Sequence, residues 1–228
     1  MLIQKRFCGP PNSGNGGYSA GVLAAALGGG TVEVTLKAPP PLETPLQVDV
    51  DGNHARLLDG ESVVAEARRS VLEQPIPAPP TLDAARACAE HYAGLREHAY
   101  PTCFSCGPRR HAGDGLCIFP GPLRPGVVAA AWHVDPDLAG AGGVVPLPVL
   151  WAAIDCAGYW AGTGEVQTPM LLGRMCAVFD AAPTPGSDCV VVGWAEGRDG
   201  RKVFAGTALF ESDGRCLGHS RQTWIALK

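Results

Sequence analysis

The chain has no basic cluster: 18 lysines and arginines face 22 aspartates and glutamates, for a net charge of -4. That balance argues against nucleic acid or an anionic membrane surface as a partner. No apolar run reaches the roughly 18–20 residues of a membrane span without Pro, Gly or a charge. The opening MLIQKRFCGPPNSG has no apolar core of the kind a signal peptide needs. A P-loop and a dinucleotide fingerprint are both absent. Ser19 reads as a helix residue without a histidine partner, which argues against a serine hydrolase. Cys103 and Cys106 form a single Cys-x-x-Cys with no second pair at zinc spacing. Cys8 would have to be recruited from far away, so no metal site is expected.

What is present is core material. The chain is 46% hydrophobic and 18% charged over 228 residues, which suits one large domain or two small ones fused. Its nine cysteines are scattered, and Cys156, Cys176, Cys189 and Cys216 sit inside apolar runs. They read as reduced core residues of a cytoplasmic protein. Residues 1–7 suggest a short strand. YSAGVLAAAL (18–27) reads as a buried helix, capped by Asn15 and stopped by Gly28–Gly30. TVEVTLK (31–37), LQVDVD (46–51), HARLLD (54–59) and SVVAEARRS (62–70) read as strands, with Asp51-Gly52 and Asp59-Gly60 as hairpin signals. A Pro-rich linker (74–80) leads into an amphipathic connector helix over 81–98, expected to pack outside a sheet. CIFPGPL (117–123) and GVVAAAWHV (126–134) read as a strand pair.

The most apolar long stretch, PLPVLWAAIDCAGYWAGTG (146–164), predicts a second long helix. Strands follow, with Asp199-Gly200 and Asp213-Gly214 turns between them. Helix, strand, Pro-rich loop, strand, Asp-Gly, strand, Asp-Gly, strand thus occurs twice in the same order. An internal duplication accounts for this, with halves at 1–73 and 101–228 and a linker with connector helix at 74–100. Each half is an α+β unit whose antiparallel sheet must curl around its long helix to bury it.

Asp155 is the only acid on the second helix, and Trp151, Ile154, Tyr159 and Trp160 surround it. A dry, unpaired carboxylate costs several kcal/mol. It is therefore either satisfied, for instance by Arg174, or kept for chemistry. Burial would raise its pKa towards neutrality, which suits a general base for water or a nucleophile. Asn15-Gly16-Gly17, followed by Tyr18, opens the first helix. Backbone N–H groups there are unpaired, the helix dipole favours negative charge, and glycine permits close approach. Gln167 and Thr168 after the second helix, and His219, Gln222 and Thr223 on the last strand, could orient a water, but each reads more simply as a loop or solvent-facing position. His133 with Asp135 reads as surface.

The duplicated helix-and-sheet pattern, with CFSCGPRRHAGDGLCIF (103–119) leading into a strand, resembles the tandem, or double, hotdog acyl-CoA thioesterases. The resemblance covers nearly the whole chain. It implies an acyl-CoA or acyl-carrier-protein thioester as substrate, with CoA present only as part of that substrate and no further cofactor. It implies Asp155 as catalytic acid or base, with the amide of Gly17 and its neighbour Asn15 opposite. Gly16, Tyr18, Thr168 and an aromatic wall of Trp151, Tyr159 and Trp160 would bind the substrate. The reciprocal site would need an amide near Leu147 and an acid near Ala25. Pro146 and Pro148 lack N–H groups and Ala25 is no acid, so one live site is expected. A hotdog hydratase or dehydratase, a non-catalytic acyl binder, and a further homodimer of double hotdogs stand as alternatives.

Overall fold

The computed structural model describes residues 1–163 and 168–227. Ten strands form one continuous antiparallel sheet. In the first half these are β1 (Val32–Leu36), β2 (Gln47–Asp51), β3 (His54–Asp59) and β4 (Ser62–Arg69). Then come the hairpin β5 (Gly121–Arg124) and β6 (Val127–His133), followed by β7 (Met170–Phe179), β8 (Asp188–Asp199), β9 (Lys202–Glu211) and β10 (Cys216–Ala226). The order across the sheet is β2-β3-β4-β1-β7-β10-β9-β8-β6-β5. Read outward from the centre, β1-β4-β3-β2 mirrors β7-β10-β9-β8. The two halves join where β1 meets β7, from Val32 opposite Ala177 to Thr35 opposite Arg174. The duplication is thus written into the strand order, and the two expected sheets share hydrogen bonds as one.

Local chemistry explains the strands. Gly52, Gly60 and Gly200 follow aspartates at φ of 56°, 58° and 55°, the left-handed region their tight turns require. In β1, Val32 and Val34 are fully buried while Glu33 and Thr35 face the other side. That other side, in the first half, carries surface ion pairs such as Lys37–Glu66 and Arg68–Glu33.

Helices α1 (Gly16–Ala26) and α3 (Leu147–Ala153) pack against each other on the inner side, and α4 (Cys156–Thr163) packs on β8 and β9. Helix α2 (Leu82–Ala89) covers the outer face of the second half, where Ala85 and Cys88 meet Ala129, Val190, Val192 and Phe210.

Four expected elements differ. Residues 5–7 form a 3-10 turn rather than a strand. The connector helix stops at Ala89 because Tyr92 turns inward, becomes buried and donates its hydroxyl to Cys106 O at 2.9 Å. The strand expected over 117–123 begins only at Gly121, since Pro120 lacks the N–H a ladder needs. The long second helix is broken between Ala153 and Cys156, at the position of Asp155.

Candidate active site

The break has a side-chain cause. The Gln222 amide donates to Ile154 O at 2.8 Å, inserting into the helical ladder. Ser105 Oγ donates to Ala152 O at 2.7 Å. Gly158 leaves room for this: a Cβ there would fall 2.0 Å from Gln222 Oε1. Gln222 is 1% exposed and also bonds Thr207, Ser220 and the indole of Trp224. The solvent-facing position expected for it is thus a buried polar hub. Pattern could have warned of this, because Gln222 and Trp224 share one face of a strand.

Asp155, 2% exposed, sits in the break. Its Oδ2 accepts from Asn15 Nδ2 at 2.9 Å and from Gly17 N at 3.0 Å. Its Oδ1 is buried without a partner among the described residues. Arg174 does not pair with it; that guanidinium donates to Thr35 Oγ1 on the exposed face. Burial pushes the Asp155 carboxyl up to about 7, against the lowering effect of the Gly17 and Asn15 hydrogen bonds.

Asn15 does two jobs. Its Oδ1 accepts from Tyr18 N at 2.8 Å as the cap of α1, and its Nδ2 faces Asp155, Ser105 Oγ and Cys103 Sγ. Gly17 is glycine for space: a Cβ would lie 2.6 Å from Trp151 O and 2.7 Å from Asp155 Cβ. Gly21, one turn on, likewise abuts Pro148 and Trp151. Gly17 to Gly21 also spells the G-x-S-x-G of serine hydrolases. Ser19, however, is fully buried inside α1, and its hydroxyl donates to Asn15 O at 2.8 Å.

An oxyanion role for the Gly17 amide conflicts with this geometry, because the Asp155 carboxylate already holds that N–H. The amide of Gly16, one residue earlier, has no partner among the described residues. Gly16 borders a cavity of about 190 Å³ together with Asn15, Asp155, Cys103, Cys156 and Trp224. Tyr100, Met170, Leu172 and the Pro39–Pro40 loop complete much of its wall.

The expected aromatic wall is rearranged. Trp151 is locked between α1 and α3 against Gly17 and Gly21 and does not border this cavity. Tyr18 stacks on Phe7 with centroids 4.0 Å apart and also lies outside it. Trp160 packs edge-on to Tyr92 and borders a different cavity. Tyr159 borders a small adjoining cavity of about 30 Å³, and its hydroxyl donates to Thr168 O at 3.3 Å. Thr168 itself is half-buried, and Gln167 lies outside the described residues. The aromatics actually at the Asp155 cavity are Tyr100 and Trp224, which the loop and strand bring in from a distance. No histidine borders it among the described residues; His133 is exposed and bonds Asp188, as a surface residue would.

Beside Asp155 three thiols gather. The Sγ atoms of Cys103, Cys106 and Cys156 lie within 4.8 Å of one another. Cys8 does not join them; its thiol donates to Thr102 O. The third sulfur comes from the helix break, a partner invisible to spacing rules.

No family model and no curated protein matches the chain. Solved structures do. A candidate thioesterase from Novosphingobium aromaticivorans DSM 12444 is 12% identical with a TM-score of 0.63, covering 100% of this chain and 94% of that one. A hot dog fold protein of unknown function from Alicyclobacillus acidocaldarius is 14% identical with a TM-score of 0.63, covering 100% and 92%. A candidate thioesterase II from Thermobifida fusca YX is 14% identical with a TM-score of 0.62, covering 100% and 91%. No helix among the described residues is long and apolar enough to cross a membrane. With its mirrored strand order and full-length likeness to these structures, the chain has a double-hotdog fold.

Proposed function

We propose that the chain hydrolyses an acyl-CoA or acyl-carrier-protein thioester at Asp155. The observation that carries this reading is the carboxylate itself. It is buried beside a cavity, anchored through Oδ2 by Asn15 and Gly17, and left with Oδ1 unpartnered. Folding tolerates an unpaired buried acceptor of this kind most readily where chemistry needs it.

In the proposed reaction Asp155 takes a proton from water, and the hydroxide adds to the thioester carbonyl. The oxyanion is held by the free amide of Gly16 at the start of α1. Collapse expels the thiolate, which takes the proton back from Asp155, leaving a carboxylic acid and a thiol. General-base help of this kind is worth about 10²–10⁴-fold. The mostly apolar wall of Met170, Leu172, Tyr100 and Trp224 suits an acyl chain.

A second reading, a non-catalytic acyl binder, draws on the Gly17 amide being engaged by the carboxylate. Hydrolysis of an acyl-CoA panel, with released thiol followed colorimetrically, separates the two. Turnover of at least one chain length, lost in Asp155→Ala, is expected. A folded protein that binds acyl-CoA without thiol release is the binder, and full activity in Asp155→Ala overturns the site.

A further inference from the structure

We propose that Cys103, Cys106 and Cys156 bind a zinc-class divalent cation that fixes the loop before β5 to the helix break. Cys103 and Cys156 Sγ are 3.7 Å apart, too far for a disulfide bond and in the range of two sulfurs on one ion. A tetrahedral zinc with bonds of about 2.3 Å sets its sulfurs roughly 3.8 Å apart. All three thiols are buried, and they converge from two segments far apart in sequence.

N–H groups converge on two of these sulfurs. His98 Nδ1 accepts from Tyr100 N at 2.9 Å, so the proton of the neutral imidazole sits on Nε2. That Nε2 lies 3.4 Å from Cys106 Sγ and donates to it. The Asn15 amide lies 3.7 Å from Cys103 Sγ. N–H groups aimed at sulfur are the outer partners that metal-bound thiolates take. Bare thiolates would be untenable in this apolar setting, and a cation of matching softness resolves the charge. His98 thus acts as hydrogen-bond donor rather than ligand. A fourth position is at hand: the cavity of about 30 Å³ bounded by the three cysteines, His98 and Tyr159 has room for one water.

The loop supplies an independent reason. Residues 96–120 contain no helix or strand, yet 103–107 are all buried. Irregular segments ordinarily run over the surface, and one this long inside a domain needs something to hold it. A cross-link from Cys103 and Cys106 to Cys156 does so, and places Ser105 against Ala152 next to Asp155.

The test needs no substrate and so stands apart from the thioesterase reading. The full chain is purified under reducing conditions without chelator, and its metal is counted by plasma mass spectrometry. About one zinc per chain is expected. Cobalt exchange should give the intense visible bands and near-ultraviolet charge transfer of tetrahedral thiolate coordination. Cys106→Ser and Cys156→Ser should fall to background metal, while Cys216→Ser keeps its ion. Should these variants misfold, the wild-type metal count and cobalt spectrum decide alone. Folded, reduced wild-type protein that carries no metal and takes up neither Zn²⁺ nor Co²⁺ overturns the proposal. So does a metal-free chain oxidised by two electrons and lighter by two hydrogens, with Cys103 joined to Cys156.

Discussion

The two ends of the α1–α3 helix pair start from the same duplicated plan and finish as opposites. Gly17 lies against Trp151 and Asp155, and Gly21 against Pro148 and Trp151, so the helices run antiparallel. One more turn carries Ala25 towards the start of α3 near Leu147. At the Asp155 end, Asn15 and Asp155 are 1% and 2% exposed, roofed by Cys103 and Ser105. At the other end Ala25 is exposed, Leu147 is half-buried, and Pro146 and Pro148 offer no N–H. Burial, more than the presence of an acid, separates a carboxyl whose pKa is raised from a solvated one. The roof comes from the loop of the second half, which the first half has no equivalent of, so only one end is closed.

The sharpest way to break this contrast is Asp155→Asn. The substitution keeps the shape and removes the charge. Under the proposed function, thioester hydrolysis should fall about 10²–10⁴-fold. Stability should move the other way, because a buried charge with one unpaired oxygen is relieved. A gain of about 1 kcal/mol would raise the melting temperature by about 2–4 °C in a chain of this size. A variant that is inactive and less stable would mean that Asp155 is a structural acid.

Gln222→Leu attacks the break that presents Asp155. It strips the donor from Ile154 O and the acceptor from the Trp224 indole, both buried. Each orphaned group costs about 1–3 kcal/mol, so a loss of roughly 3 kcal/mol is expected by chemical denaturation. If stability holds, the helix breaks at Asp155 for some other reason.

Gly17→Ala tests the close approach of the two helices at the closed end. Its Cβ would meet backbone, Trp151 O at 2.6 Å, which cannot swing aside. A cost of about 2 kcal/mol is expected, read from the denaturation midpoint. Gly16→Ala meets side chains alone, Leu172 at 2.9 Å and Leu36 at 3.3 Å, and should cost less. Equal costs would mean that the helices move freely there and that the Asp155–Gly17 hydrogen bond is not a fixed feature.

Much of this architecture was legible in the chain. Alternating strands, Asp-Gly turns and a repeated order are local signals, and the mirrored sheet follows from them. Asp155 and Asn15 stood out because an acid in an apolar run and a polar cap before a glycine pair are local anomalies. What failed was long-range. The helix break depends on Gln222, the thiol trio on Cys156 meeting Cys103, and the cavity wall on Tyr100 and Trp224. None of these partners is fixed by spacing along the chain. The move from Gly17 to Gly16 in the proposed site has the same origin, since only the packed carboxylate decides which amide it occupies.

The smallest effect is the most instructive for the contrast. Ala25→Asp puts an acid at the reciprocal position on α1. Ala25 is exposed, so the new carboxylate stays hydrated and the change should lie within about 0.5 kcal/mol of wild type. That range includes a small unfavourable dipole contribution from its place in the last turn of the helix, which exposure keeps at the low end of about 0.3–1 kcal/mol. In an Asp155→Asn background it should restore no hydrolysis, because no roof desolvates it and Pro148 offers no amide beside it. Hydrolysis recovered in that double variant would show that an acid alone makes a site. The burial supplied by the loop would then be incidental, and the two ends would differ by sequence drift at a single position.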